Sequence, residues 1–262
     1  MEIRDKVVVV TGAASGIGRG LALRFAAEGA RAVVAVDFDG QGAADVADEI
    51  RAGGGTAEAM TADVSVDAEV AAVVERCETD LGPIDLFCSN AGILVIGGQE
   101  LPDDEWQRII GVNLMGHVYA ARHLVPRMLE RGGGYLLQTC SAAGLLTQIG
   151  SAPYSVTKHA ALSFAEWLAV TYGDRGLKVS ALCPQAVASK MTMGVEGGGV
   201  AGVDGMLTPE QVADSVVEGL ADERFLILPH PEVLDYFRRK ASDYDRWLAG
   251  MRRLQARFGI EL

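Results

Sequence analysis

Four consecutive valines, Val7 to Val10, run directly into the glycine-rich turn Thr11-Gly12-Ala13-Ala14-Ser15-Gly16-Ile17-Gly18, and the chain continues as the amphipathic stretch IGRGLALRFAAEG. A short β-branched run without polar alternation reads as a strand buried on both faces, which points to the interior of a parallel sheet covered by helices. Glycines let the turn bend sharply, and a helix starting there aims free N–H groups and the positive end of its dipole at an anion. The glycine spacing is wider than in the common GxGxxG fingerprint, so strand, turn and helix in that order carry the reading rather than the glycines alone.

The alternation continues. RAVVAVD supplies a second strand and a helical stretch runs on to Ile50; further strands are expected at Thr56 to Thr61, Ile84 to Ser89, Gly134 to Cys140, Leu177 to Leu182 and Phe225 to Leu228, with helices between them. The pattern predicts an α/β fold, a doubly wound Rossmann-type parallel sheet of about seven strands with helices on both faces. At 262 residues and 49% hydrophobic content, one large core is the expectation, so residues 1–262 are read as a single domain. Gly53 to Gly55 and Gly132 to Gly134 are short enough to be turns between a helix and a strand.

Charge and composition narrow the partners. The formal net charge is −12, from 23 basic and 35 acidic residues, and such a field repels nucleic acid and anionic lipid surfaces. No stretch approaches the roughly 20 apolar residues that span a bilayer. The start MEIRDKVVVV lacks the layout of a secretory signal, so a cytoplasmic location is expected. Cys77, Cys88, Cys140 and Cys183 have neither zinc-site pairing nor the density of a disulfide framework, and read as buried hydrophobes; Cys140, next to Ser141, is the one placed to line a cavity.

The second strand ends at Asp37, at about the 20-residue distance from the loop where a carboxylate accepts hydrogen bonds from adenosine ribose hydroxyls. Neither Ser15 nor Phe38 supplies the cation that a 2′-phosphate calls for, so NAD is favoured over NADP. Farther on, Tyr154 and Lys158 stand four positions apart in APYSVTKHAALSFAEWLA, whose apolar residues fit a helix, so both leave the same face. A lysine ammonium held near a tyrosine favours the phenolate and suits the hydroxyl to acid/base work. Such a pair alone is weak, since many helices carry one as core edge and solvated charge.

Together these segments resemble the short-chain dehydrogenase/reductase family, from the first strand to about Phe225. The motifs that carry the resemblance are the TGxxxGxG loop at Thr11 to Gly18, the pair Asp63-Val64, the element Asn90-Ala91-Gly92, a helical Asn113, Ser141, and Tyr154-x-x-x-Lys158, in the family's order and separations. The resemblance implies that Ser141 holds the substrate oxygen, Tyr154 transfers its proton, Lys158 tunes Tyr154 and binds the nicotinamide ribose, and Asn113 anchors a water linking Lys158 to solvent. It also implies a cofactor pocket made by Gly12, Ser15, Gly16, Ile17, Gly18, Asp37, Phe38, Asp63, Val64, Asn90, Ala91, Gly92, Tyr154, Lys158, Pro184, Val187 and Ser189, with NAD as cofactor and no metal. One departure stands out: Gln185 follows Pro184 where the family has glycine, and it either hydrogen-bonds substrate or carboxamide or marks an altered turn.

Residues 189–207, rich in glycine and methionine, read as a substrate lid; with Leu94, Leu146, Gln148, Gln185, Met191 and Met193 they suggest an apolar pocket for a secondary alcohol or ketone. His117, His123 and His159 read as packing or surface residues. Residues 231–262 extend past the usual end of the family as one or two amphipathic helices that dock on the same subunit or on a neighbour. The resemblance implies a homodimer or homotetramer. Two alternatives compete: an NADP-dependent reductase of a 3-oxoacyl thioester, opposed by Asp37 and by the lack of a basic patch, and a catalytically silent dinucleotide-binding sensor or scaffold, opposed by the full set Asn113, Ser141, Tyr154 and Lys158.

Overall fold

The computed structural model describes residues 1–260. In chain order the elements are β1 (Val7–Thr11), α1 (Gly16–Ala27), β2 (Ala32–Asp37), α2 (Gly40–Ala52), β3 (Ala57–Thr61), α3 (Asp67–Asp80), β4 (Leu86–Ser89), α4 (Asp103–Ile110), α5 (Gly116–Glu130), β5 (Gly134–Thr139), α6 (Ala152–Tyr172), β6 (Leu177–Leu182), α7 (Pro209–Ala221), β7 (Leu226–Ile227), α8 (Glu232–Ser242) and α9 (Tyr244–Arg257). The strands form one sheet in the order β3-β2-β1-β4-β5-β6-β7, every neighbour parallel. The expected α/β architecture is therefore present, with β7 reduced to two residues.

The valine run explains the layering. Side chains alternate across a strand, so Val7 and Val9 enter one core with Val34, Phe87 and Leu136, while Val8 and Val10 enter the other with Val33, Leu86 and Leu137. All four valines are fully buried. Leu124, Ala161 and Leu168 of α5 and α6 cover the first face; Leu21 and Phe25 of α1, Val46 of α2 and Val212 of α7 cover the second.

The strand order reverses between β1 and β4, and in open parallel sheets the crevice at the carboxyl ends of the strands at such a point is where ligands bind. Those ends are tied together. Asn90 N–H donates to Thr11 Oγ1 at 2.9 Å, the Asn90 amide donates to the Thr11 carbonyl at 3.0 Å, and Thr139 Oγ1 donates to Asn90 Oδ1 at 3.1 Å. Between α4 and α5 the helix widens into a π-helical segment, Gly111–Met115, that carries Asn113. Single-turn π segments of this kind collect at functional sites. No described helix is long and apolar enough to cross a membrane.

Candidate active site

The phosphate-loop expectation meets a backbone shaped for it. Gly12 has φ +67, and a side chain there would come within 2.8 Å of Ala91 Cα; one at Gly18 would come within 2.0 Å of the Gly12 carbonyl oxygen. Only glycine lets the loop close this tightly on the start of α1. Ser15, the residue before α1, makes no side-chain cap, so the first-turn N–H groups of Ile17 and Gly18 remain available to an anion. These features fit a dinucleotide pyrophosphate.

Asp37 stands at the end of β2, half-buried, and its carboxylate is a structural hinge as well as a candidate ribose acceptor. Oδ2 accepts the Ala14 N–H at 2.9 Å and Oδ1 accepts the Asp39 N–H at 2.9 Å, which holds the phosphate loop against the turn after β2. Phe38 is 77% exposed at the rim. Asp63 Oδ1 accepts from the N–H and the hydroxyl of Ser65, and Val64 packs at the edge of the core against Gly116.

Ser151 sets the register of α6, the helix that carries Tyr154 and Lys158. Its Oγ accepts the Tyr154 N–H at 3.3 Å and donates to the Val95 carbonyl, which caps α6 and fixes it to the loop after β4. Lys158 follows one turn on, 2% exposed, and donates from Nζ to the Thr139 carbonyl at 2.8 Å. A side chain on Gly92 would stand 3.3 Å from Lys158 Nζ and 3.4 Å from Asn113 Oδ1, which places all three around one point. Asn113 Oδ1 accepts the Ile93 N–H at 2.8 Å and its amide donates to the Ile93 carbonyl at 2.9 Å and to Thr157 Oγ1 at 3.3 Å. Its direct partners are thus protein groups on the strand-end loop and on α6.

Ser141 sits in a left-handed, extended conformation, φ +66 and ψ 153, that non-glycine residues rarely adopt. Its Oγ accepts the Ala143 N–H at 3.2 Å and faces the Pro184 carbonyl at 3.4 Å. Burial pushes the Tyr154 phenol above its ordinary range, and the neighbouring Ser141 hydroxyl offsets part of that rise. Burial also pushes the Lys158 ammonium below its ordinary range. The sequence reading expects Lys158 to make the phenol more acidic; in the protein chain by itself burial outweighs that effect, because Nζ lies 5.6 Å from the centre of the Tyr154 ring and points toward Thr139.

The other residues singled out in the sequence have definite places in the fold. Cys140 lines no cavity: it is wholly buried and its thiol is pushed up to about 12, a poor nucleophile. His117 is a core residue whose Nδ1–H donates to Gln138 Oε1, and burial pushes it down to about 3. Met193 is 76% exposed, and Met191 is exposed too. The Gln185 carboxamide oxygen is buried without a described partner, while its backbone N–H donates to His230 Nδ1 at 3.2 Å. Gln148 donates from its amide to the Ile149 carbonyl at 3.1 Å; Leu94 and Leu146 are half-buried on the loops that carry Gly92 and Ser141.

The chain from 189 to 207 leaves and rejoins the domain at fixed points. Ser189 lies against Gly16, its Cβ 3.1 Å from where a Gly16 side chain would start, and its N–H donates to Thr192 Oγ1 at 3.1 Å. Val187 is buried, bridges to Leu207, and offers its carbonyl to Thr192 Oγ1 at 2.8 Å. The segment 231–262 is helical as expected, in α8 and α9, its last two residues lying outside the described ones. Sequence reasoning missed Lys240 in this segment and His230 just before it. The signal was the phase of α8: Lys240 lies seven residues after the fully buried Val233, on the inward stripe, where a solvated lysine does not belong.

Among known proteins, the short chain dehydrogenase family matches residues 6–197. The chain is 37% identical over 247 residues to 1-deoxy-11-beta-hydroxypentalenate dehydrogenase of Streptomyces exfoliatus, covering 93% of this chain and 90% of that protein. It is 33% identical over 239 residues to cyclohexanol dehydrogenase of Acinetobacter sp. strain SE19, covering 89% and 95%. Among solved structures, a short chain dehydrogenase/reductase from Burkholderia phymatum in complex with NAD superposes with a TM-score of 0.86 at 30% identity over 94% of this chain and 96% of that one. A short-chain dehydrogenase from Sphingobium yanoikuyae in complex with NADPH gives 0.79 at 26% identity over 92% and 93%.

Proposed function

The chain belongs to the short-chain dehydrogenase family, and from that premise we propose that it is an NAD(H)-dependent oxidoreductase interconverting a fairly apolar secondary alcohol and its ketone. The observation that carries the reading is the convergence of Ser141, Tyr154 and Lys158 at the carboxyl ends of β4 to β6, with Lys158 Nζ anchored on the Thr139 carbonyl and 5.6 Å from the centre of the Tyr154 ring. A bound nicotinamide supplies the hydride acceptor for oxidation and the donor for reduction.

The protein's own residues do the rest. Gly12, Ser15, Gly16, Ile17 and Gly18 hold the pyrophosphate through N–H groups, and Asp37 holds the adenosine ribose. Asp63, Val64, Asn90, Ala91 and Gly92 line the adenine and ribose side; Pro184, Val187 and Ser189 close over the nicotinamide. Ser141 orients the substrate oxygen toward Tyr154, which takes the hydroxyl proton in oxidation and returns it in reduction. Lys158, anchored on Thr139, places positive charge beside the cofactor ribose and the phenol, and Asn113 supports that corner.

NAD over NADP is supported by the Asp37 carboxylate and the absence of a cation at Ser15 or Phe38. An alicyclic substrate is supported by the name of the cyclohexanol-oxidising relative and by Leu94 and Leu146 on the site loops. Exposed Val156, Trp167 and Val170 on α6 support assembly with further copies of the chain, which light scattering tests. The function is tested by following reduced nicotinamide formation with cyclohexanol and a panel of cyclic and open-chain secondary alcohols. No turnover of any alcohol or matching ketone with either cofactor would overturn the reading.

A further inference from the structure

Lys240 is a buried lysine on α8, whereas lysines normally end in solvent. It is 7% exposed, and its Nζ donates to the carbonyls of Leu145 and Leu146, each at 2.8 Å, and lies 3.4 Å from His159 Nε2. His159 is oriented for this: Nδ1–H donates to the Ser155 carbonyl at 2.9 Å, which leaves Nε2 as the acceptor. The rings of Trp247 and Tyr244 face the ammonium at 5.0 Å and 5.6 Å from their centroids. Three neutral acceptors and two aromatic faces thus replace the water that the cation gives up.

Both carbonyls belong to the short loop that begins at Ser141, and that loop is under backbone strain, since Ser141 has φ +66. A strained residue of this kind persists only where its surroundings over-determine it. From the sheet side the loop is held by the Ser141 N–H on the Leu182 carbonyl at 3.2 Å and the Ala142 N–H on the Pro184 carbonyl at 2.8 Å. On its far side it is held by Lys240. Neighbouring loops are tied in as well, by His230, just before this segment, on the Gln185 N–H, and by the Tyr236 hydroxyl of α8 on Asp204 at 2.8 Å.

We propose that Lys240 is a positioning residue for the dehydrogenase reaction: from α8 it clamps the Leu145 and Leu146 carbonyls and thereby holds Ser141 in the strained conformation that keeps its hydroxyl beside Tyr154. The inference rests on the proposed dehydrogenase function. Its physical basis does not, because the clamp is a hydrogen-bond arrangement of this chain.

The test compares the full-length protein with Lys240→Met and Lys240→Arg, using cyclohexanol and NAD, NADH affinity by fluorescence, and amide hydrogen exchange. In Lys240→Met, kcat should fall about tenfold or more, as a displaced orienting group predicts, while KM and NADH affinity stay within about threefold. Exchange across residues 141–148 should accelerate while the strands keep their protection, and Lys240→Arg should recover a large part of kcat. Should Lys240→Met not fold, Trp247→Ala loosens the ammonium from the half-exposed α9 side and should give a smaller shift of the same kind. Unchanged kcat and unchanged exchange over 141–148 would overturn the proposal, as would a loss in KM or NADH affinity equal to the loss in kcat. If the wild type turns over no alcohol, the dehydrogenase reading fails by itself, and the exchange comparison still decides whether Lys240 holds the loop.

Discussion

Lys158 donates its hydrogen bond to the Thr139 carbonyl at 2.8 Å, so the ammonium is anchored to the end of β5 and not on the Tyr154 oxygen. Burial raises the phenol and lowers the ammonium. The base form of Tyr154 therefore gains population only as pH rises, whereas the acid form that serves reduction persists through neutrality. We expect kcat/KM for alcohol oxidation to climb with pH through neutrality into the alkaline range, and kcat/KM for ketone reduction to stay flat there and fall at the alkaline end. Initial rates across pH in both directions check this; an oxidation rate that falls on going alkaline would contradict it.

Tyr154→Phe removes the proposed proton carrier and little of the proposed cofactor cradle. Turnover should drop by at least about 10³-fold, with NADH affinity within a few-fold of wild type. Rates and NADH fluorescence titrations on the same preparation separate the two.

Asp37 has two tasks, since it also accepts the Ala14 and Asp39 N–H groups. Asp37→Ala should therefore weaken both NADH and NADPH by loosening the loop. Asp37→Ser with Phe38→Arg, which keeps a short acceptor and adds a cation at the exposed rim, should move preference toward NADPH by about tenfold or more. Specificity constants for both cofactors decide it; an unchanged ratio would mean that another group reads the ribose.

Gly18→Ala would drive a methyl to within 2.0 Å of the Gly12 carbonyl oxygen unless the loop moves. The sheet lies beneath this contact, so the fold should survive while NADH affinity falls by at least about tenfold. Circular dichroism together with a binding titration distinguishes this from unfolding.

His117 should make the protein acid-sensitive. Burial chiefly, and the Lys158 charge secondarily, push the folded imidazole down to about 3, against the Gln138 hydrogen bond that raises it. In the unfolded chain a histidine titrates near about 6.5. Below that value the unfolded chain binds a proton that the native state refuses, so stability falls as pH drops from about 6.5 toward about 3. The urea midpoint of His117→Gln, which can still donate to Gln138, should depend less on pH over this window than that of wild type. Parallel slopes would assign the acid sensitivity elsewhere.

What was legible in the chain follows from local physics. Four valines buried on both faces specify a central parallel strand, glycines before a helix specify an anion-binding turn, and four-residue spacing on a helix puts Tyr154 and Lys158 on one face. None of these needs a distant residue. The exact reach of β4 and β7 was less legible, because pairing with β1 and β6 sets where a strand ends.

The rest depends on contacts between segments far apart in sequence. Periodicity places His117 and Lys240 on helices, but only packing buries them: one against Gln138, the other beneath the Leu145 and Leu146 carbonyls. The spacing of Tyr154 and Lys158 brings a phenol and an amine near each other, while the surrounding protein decides their charge balance through burial. Sequence by itself determined the sheet, the glycine turn before α1 and the same-face pairing of Tyr154 with Lys158, since each is encoded within one or two elements. Tertiary structure alone decided the strained Ser141, the dual use of Asp37 and the clamp from α8, because a desolvated charge or a strained backbone acquires its energy from whatever the fold presses against it.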